Sequence, residues 1–565
     1  MAAGKPDFSQ DNVPPARGAA LLTGALWKVA LRLVALGFID AFAIWFVSGL
    51  ISEQDYILAG FVAVITLGIN AVFLIDGLYP YRWFSPGLTL LILMLIYPTI
   101  FTIYVAFTNY RDGNLLTRSQ AEDVLLKRTF LPDDSVTYSW TAFRSTDNPD
   151  EYALWLIPDS DRGGEVMFAE RGEIVLASEV DLGEGTLDED GIPTALQGYE
   201  RVPKNQLFAI LDSVLSKIEF GEADNVIMLN PQNPTRQAGV FRVQFTLNDD
   251  GSLVDNQTGV RYEAKQGTYS PVDGPDEMKN AEGVLVDADG VPLEVIRPGY
   301  YVVTGLDNIK DLVTDDKIRG PFLRVFVWTF AHAFFSVFLT FWFGLFLAIV
   351  MNAKFFPGRA IFRTMLLVPY AMPAFISVLV WRGLLNEHLG VINKAIESIL
   401  GVENGPRWFS DPTWVKVGIL LIQLWLGFPY MMLITTGALQ SIPGDIYEAA
   451  RVDGANPYQQ FRYLTLPLLL VTVGPLLIAS FAYNFNNFTI VELFAQGGPP
   501  ISPDTAAGHS DILITYTYAL AFGSGRGANY GFASTISIVI FLIVATVTFF
   551  NFRFTRTWEE ISENV

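Results

Sequence analysis

Residues 325–351 read VFVWTFAHAFFSVFLTFWFGLFLAIVM. A helix needs about 20 apolar residues to cross the ~30 Å hydrocarbon core of a bilayer. This run is longer than that and contains no Asp, Glu, Lys or Arg. Seven further runs of similar character lie near residues 24–49, 56–77, 86–108, 362–380, 415–438, 466–491 and 532–552. Buried core helices of a soluble protein would not recur at this length and number, so the eight runs are expected to be membrane spans. The first is too long and starts too late for a cleaved signal peptide, and it lacks a small-residue cleavage site.

The composition agrees. Of 565 residues, 51% are hydrophobic and 17% charged, against about a quarter charged in soluble domains. The net charge of −21 is concentrated in one place. Residues 111–320 hold 19 Lys and Arg against 39 Asp and Glu, a net of −20. The acid excess argues against nucleic acid as a partner. With no cysteine, disulfides, Cys–zinc sites and thiol chemistry are excluded.

The acidic block reads as a folded domain. Gly239–Leu247 and Gly299–Thr304 look like strands, Ser119–Arg128 like a short helix, and Asn248-Asp249-Asp250-Gly251 and Asp289-Gly290 like turns. Asp181–Gly191 is carboxylate-rich but lacks the spacing of a calcium loop and reads as a solvated turn. The expected fold is an all-α polytopic membrane protein of about eight transmembrane helices, with one mainly β extracytoplasmic domain inserted between spans 3 and 4. Residues 1–110 would form the cytoplasmic N-terminus and spans 1–3, residues 111–320 the acidic domain, and residues 321–565 spans 4–8.

Lys and Arg in short loops set the orientation. Arg82 follows span 2; Lys354, Arg359 and Arg363 follow span 4; Arg451 and Arg462 follow span 6; Arg553 and Arg556 follow span 8. The long loop after span 7 has only Arg526. Residues 382–413 run against this trend with Arg382, Lys394 and Arg407. The balance places both termini in the cytoplasm and residues 111–320 outside.

Several chemistries are missing. There is no phosphate loop of the G-x-x-x-x-G-K-[ST] type and no G-x-S-x-G elbow. His332, His388 and His509 are too scattered for a metal site. Asp40 is the one clear intramembrane acid, suited to helix packing or to a functional role. The uncharged interiors of spans 5, 7 and 8 disfavour an ion-coupled carrier. A membrane sensor would need a cytoplasmic output domain, and the longest cytoplasmic stretches are a roughly 23-residue N-terminus and a roughly 25-residue loop.

That loop, residues 443–467, contains Tyr447-Glu448-Ala449-Ala450-Arg451-Val452-Asp453-Gly454 and then Leu464-Thr465-Leu466-Pro467. It reads as a short helix starting after Pro443, a glycine break, and a second helix entering span 7. Ala449 and Ala450 leave a surface that another protein can approach, and Glu448 offers a charge to a basic partner.

Span 7 carries Ser480, Tyr483, Asn484 and Asn487 at i, i+3, i+4 and i+7, one face about 100° wide, with Asn486 outside it. Unpaired polar groups in hydrocarbon cost several kcal/mol each, so this face must meet other helices or a water-filled cavity. It suits inter-helix hydrogen bonding and sugar binding equally. Span 6 offers Gln423, Trp425, Gly427, Pro429 and Tyr430, where a helix break is expected.

The spacing E-A-A-x3-G-x9-apolar-x-L-P is similar to the signature of ABC-importer permeases, with Leu464 where isoleucine is frequent. Phe107-Thr108-Asn109-Tyr110, Trp408-Phe409-Ser410-Asp411-Pro412, Ala482–Phe488 and Gln496-Gly497-Gly498-Pro499 extend the resemblance. The eight-span plan with its large insert resembles the larger permease subunit of maltose/maltodextrin importers. The resemblance implies a permease with no catalysis of its own and no cofactor, with ATP and Mg used by a partner ATPase. It implies a homologous second permease, two copies of a cytoplasmic ABC ATPase, and a periplasmic maltose-binding protein, in the lipid of a bacterial inner membrane. The loop residues Glu448, Ala449, Ala450 and Gly454 would couple to the ATPase. Trp425, Gly427, Tyr430, Ser480, Tyr483, Asn484 and Asn487 would contact maltose or a maltodextrin, with the aromatics on ring faces. Gln423 stands where asparagine is common. A permease for another oligosaccharide, or a sensor with an extracytoplasmic ligand domain, are the alternatives.

Overall fold

The computed structural model describes residues 26–563 apart from 133–134, 160–162, 184, 212–213, 222–225, 231–236, 281, 288, 354–357, 403–404 and 524–526. The N-terminal tail, Lys354 and Arg526, which entered the orientation argument, lie outside the described residues. The chain folds as two units, residues 1–112 with 302–565, and residues 113–301.

The first unit begins with α1 (Leu26–Ser52) and α2 (Tyr56–Leu74). They are tied by Asn70 Nδ2, which donates to Asp40 Oδ1 at 2.6 Å, so Asp40 is a helix-bridging group. A third span, Ser85–Ala106, runs through α3 (Ser85–Leu91), a π turn and α4 (Tyr97–Ala106).

In the second unit, α5 (Arg118–Leu126) opens with a Thr117–Gln120 capping box. Short β1 (Thr129–Phe130) precedes β2 (Thr137–Ser145), β3 (Tyr152–Pro158), β4 (Met167–Glu170), β5 (Glu173–Leu176) and β6 (Tyr199–Arg201). After α6 (Lys204–Leu211) come β7 (Met228–Leu229), β8 (Ala238–Gly239), β9 (Arg242–Val243), β10 (Phe245–Leu247), β11 (Leu253–Asp255), β12 (Arg261–Lys265) and β13 (Thr268–Asp273). The main sheet has the order β5-β4-β3-β2-β8-β7, with β6 also on β2. Its centre is apolar on both faces. In β3, Tyr152, Leu154 and Leu156 join one core with Leu211, Leu215 and Phe220, while Ala153 and Trp155 join another with Phe143 and Phe168. Strands β10 to β13 form a separate antiparallel meander.

Two expectations for this unit change. Gly239–Leu247 is not one strand but parts of β8, β9 and β10, and Gly299–Thr304 forms only isolated bridges. The Asp181–Gly191 loop closes on itself: Asp188 accepts from Asp190 N, Ile192 N and Arg201 Nη1 at 2.8 Å. The Ile192 bond and the Arg201 guanidinium hold its carboxyl below the usual range.

The first unit resumes with α7 (Asp307–Thr314) and α8 (Asp316–Asn352). Residues 302–320, counted with the acidic block by charge, therefore group with the membrane helices. Span 5 is not one straight helix. It is a pair, α9 (Arg359–Ala371) and α10 (Ala374–Leu384), bent by 95°. Pro373 lacks a backbone donor and forces Met372 into an extended conformation, which stops α9. Next come α11 (Val391–Leu400), α12 (Pro412–Ser441), α13 (Gly444–Val452), α14 (Pro457–Gln460), α15 (Leu466–Phe485), α16 (Phe488–Ala495), α17 (Leu513–Phe522) and α18 (Tyr530–Glu563). Among the described residues, seven helices are long and apolar enough to cross a membrane, or eight if the bent pair is one span. Helices α8, α12 and α15 share a core of Phe341, Leu345, Met431, Ala438, Leu469 and Val473. His332 is buried in α8 with its ring 5.9 Å from that of Trp328.

Candidate functional site in the membrane helices

The expected break in span 6 is absent. α12 runs unbroken through Gly427 and Pro429. Gly427 serves close packing instead: a Cβ there would lie 2.7 Å from Thr340 Cγ2 on α8. A buried proline is tolerated in a membrane helix whose neighbours enclose it.

The break lies in span 7. α15 stops at Phe485, Asn487 has φ −78° and ψ 77°, and α16 starts at Phe488. Asn side chains compete with helical backbone hydrogen bonds, so two in succession favour a stop. Non-helical backbone at membrane depth is tolerated where it lines a cavity. Such a cavity, of about 520 Å³, is present beside the break.

Ser480, Tyr483, Asn484 and Asn487 all line it, joined by Gln423, Gly427 and Tyr430 of α12. The stripe thus faces a cavity, and two of its members also bond within the protein. Asn487 Nδ2 donates to Gln423 Oε1 at 3.1 Å. Asn484 Nδ2 donates to the Ser480 carbonyl at 2.8 Å, while its buried Oδ1 has no hydrogen-bond partner. Tyr483 is 70% exposed.

Trp425 is the exception among the candidates. It is not part of the cavity wall, and its indole packs edge-on against Trp381 at 5.8 Å. On a continuous helix, Trp425 is about 160° from Gly427 and Gln423, which turns it away from the cavity that those two line. Sequence reasoning missed Thr340, Tyr370 and Thr489, which line the cavity from α8, α9 and α16. The rings of Tyr370 and Tyr430 are stacked, 6.3 Å apart and 16° from parallel. Tyr370 follows Pro369 near the end of α9, and that local sequence was its only signal.

The candidate docking residues lie at a second place. Glu448 and Ala449 are exposed on α13, Ala450 is half-buried, and Val452 is 89% exposed. Gly454 ends the turn at φ +82°, a left-handed conformation that favours glycine. Tyr447 Oη lies 3.0 Å from Thr465 Oγ1 and ties α13 to the start of span 7. Ala450, Gly454, Tyr463 and Leu464 line a concavity of about 360 Å³.

The loops at the other end of the bundle are held by carboxylates. Glu387 accepts from Phe409 N at 2.7 Å, Ser410 N at 2.9 Å and Ser410 Oγ at 3.0 Å. Partial burial pushes its pKa up, but these bonds outweigh it and leave the carboxyl below its ordinary value. Arg382 donates to the Leu493 carbonyl, which gives this outlying cation a local role.

Two family models match. One, described as "Binding-protein-dependent transport system inner membrane component", covers residues 340–556. The other, "N-terminal of TM subunit in PBP-dependent ABC transporters", covers residues 89–170. The chain is 34% identical over 491 residues to the "Maltose/maltodextrin transport system permease protein MalF" of Escherichia coli O157:H7, covering 86% of this chain and 89% of that protein. The protein of the same name in Salmonella typhimurium is 34% identical over 82% of this chain and 84% of its own length. That of Vibrio vulnificus strain YJ016 is 35% identical over 88% and 89%. Taken with the apolar spans, this similarity along both chains means that the chain belongs to the maltose/maltodextrin permease family of binding-protein-dependent ABC importers.

Proposed function

We propose that this chain imports maltose or maltodextrins as one permease of an ATP-driven complex. The observation that carries this reading is the cavity at the span 7 break, lined by the polar side chains Ser480, Tyr483, Asn484 and Asn487 beside the rings of Tyr370 and Tyr430. A turn of the Asn484 amide would bring its Oδ1, which is buried without a partner, to a sugar hydroxyl. Ser480 and Tyr483 would add hydroxyl contacts, Gln423 and Asn487 would fix the wall, and Tyr430 with Tyr370 would cover an apolar ring face.

The chain carries no nucleotide site of its own in this reading. Glu448, Ala449, Ala450 and Gly454 dock one copy of a cytoplasmic ATPase, and a second, homologous permease docks the other. Both termini lie in the cytoplasm of a bacterial inner membrane. Residues 113–301 lie in the periplasm and meet the sugar-loaded binding protein.

The test is uptake of radiolabelled maltose by the reconstituted complex with its binding protein. Asn484→Leu should lower sugar-dependent uptake about ten- to a hundredfold at limiting sugar while complex yield and basal ATP hydrolysis persist. Unchanged uptake with a stable complex would overturn the sugar assignment.

A further inference from the structure

At the end of the bundle where α8 and α12 begin lies a second pocket of about 450 Å³, which shares no lining residue with the cavity at the span 7 break. Three basic side chains line it: Arg324 of α8, Lys416 of α12, and His509 of the segment before α17. Among the described residues no Asp or Glu lines it. Nor does Arg324 or Lys416 form an ion pair with any described carboxylate. Lys416 Nζ sits 4.8 Å from the centre of the Trp328 ring, which orients the ammonium without neutralising it. The Trp328 indole is fixed in turn by donating to the Ser510 carbonyl at 3.1 Å. His509 is held below its ordinary pKa by burial first and then by Lys416 and Arg324, so the field of both cations reaches it.

The rest of the wall is apolar, and its outer part is exposed: Leu323 is 49% and Val327 64% accessible. Arg324 immediately precedes the apolar run of α8, and Lys416 stands at the start of that of α12. The cations therefore lie at headgroup depth, with apolar side chains beside them.

We propose that this pocket binds the phosphate headgroup of an anionic phospholipid. Convergent cations without counter-charges favour an anion, and their headgroup depth selects an amphipathic one. The phosphate diester lies between Arg324 and Lys416, His509 donates a further hydrogen bond, and one acyl chain follows Leu323 and Val327.

The test uses the chain co-purified with its second permease and ATPase in mild detergent and titrated with phosphatidylglycerol or phosphatidylcholine, with bound lipid and subunits counted by native mass spectrometry. Phosphatidylglycerol should be preferred. Arg324→Gln with Lys416→Gln should weaken its binding about thirtyfold, as two interfacial cations imply. Arg324→Lys with Lys416→Arg should keep the preference, which separates loss of charge from loss of fold. Lys394→Gln, an exposed cation elsewhere, should change nothing. Three results would overturn the proposal: equal retention by the double Gln variant, full competition by inorganic phosphate at the same concentration, or loss of the second permease from the double Gln variant with lipid binding unaltered. The second would indicate a free-anion site, and the third a partner's carboxylate in the pocket.

Discussion

Asn487 Nδ2 donates to Gln423 Oε1 across 3.1 Å, joining the break in span 7 to the unbroken helix of span 6. Both side chains are buried, so each satisfies the other in a place where water is scarce. The pair divides the polar stripe by task. Asn487 and Gln423 build the wall, whereas Asn484 Oδ1 is unpaired, which in the proposed function leaves that amide to meet a ligand.

That division is measurable. Gln423→Leu leaves a buried Asn487 amide without its acceptor, which should cost about 1–3 kcal/mol of stability. Asn484→Leu removes an acceptor that has no internal partner, so it should leave stability nearly intact. Its effect should fall on sugar affinity, about ten- to a hundredfold for the same range of energy. Thermal unfolding in detergent, set beside sugar binding, would separate the two. Equal losses of stability in both variants would make the whole stripe packing.

Gly427 provides a second contrast. Its Cα faces Thr340, and any Cβ would lie 2.7 Å from Thr340 Cγ2. Gly427→Ala should therefore destabilise the α8–α12 contact by about 1–3 kcal/mol, the usual range for overpacking. Thr340→Ser removes the opposing methyl and should restore most of that loss when combined with it. Urea or thermal titration of the single and double variants would measure the coupling.

Much of this architecture is legible in the sequence because its signal is one-dimensional. Span length and charge deficit identify Val325–Met351 and the other apolar runs without knowledge of packing. The polar stripe is likewise legible, since helical periodicity alone puts Ser480, Tyr483 and Asn484 on one face. What fails depends on a neighbour. Gly427 and Pro429 read as a break, yet Thr340 shows that the glycine permits close approach on a continuous helix. Asn487 reads as the last member of a continuous helical stripe and Asn486 as lying outside it, although two amides in succession end the helix. Trp425, a sugar contact by family resemblance, packs on Trp381 outside the cavity lining because α12 continues without a break. Tyr370 enters the cavity only because span 5 bends by 95°. Net charge could not divide residues 302–320 from the insert, because the acids at the start of α7 and α8 belong to the unit that holds the membrane helices.

Asp511 gives the segment between α16 and α17 a pH dependence. Burial, with a smaller effect of Glu492, pushes its carboxyl up to about 6, despite hydrogen bonds from Gly508 N and Thr515 Oγ1. The folded value is above the unfolded one of about 3.9, so the contribution is complete below pH 3.9 and lost as pH rises through about 6. Asp511→Asn should remove this dependence. Between pH 4 and pH 7 the unmodified chain should lose on the order of 2–3 kcal/mol relative to the variant. Thermal unfolding over that pH range is the measurement, and parallel curves would exclude Asp511 as the titrating group.

The docking loop yields the prediction with the widest consequence. Gly454 adopts φ +82°, and nothing lies within 4 Å of a Cβ placed there. A side chain at this position is therefore strained by the backbone and not by a clash. Gly454→Val should shift the turn, moving α13 relative to Tyr463 and Leu464, whereas Gly454→Asn should be tolerated better because Asn enters the left-handed region more readily. Glu448 tests a different property of the same surface. It is exposed, and its Arg451 contact is long at 3.9 Å, so Glu448→Lys should hardly change stability. If the surface meets an ATPase, Glu448→Lys and Gly454→Val should both reduce sugar-stimulated ATP hydrolysis, while sugar binding by the membrane helices persists. Gly454→Asn should lie between Gly454→Val and the unmodified chain. Assembly with the ATPase and stimulated hydrolysis should be measured together on one preparation. Loss of hydrolysis with assembly retained would place the fault in transmission, and loss of both would place it in docking. Normal hydrolysis in Glu448→Lys and Gly454→Val would remove the loop from coupling.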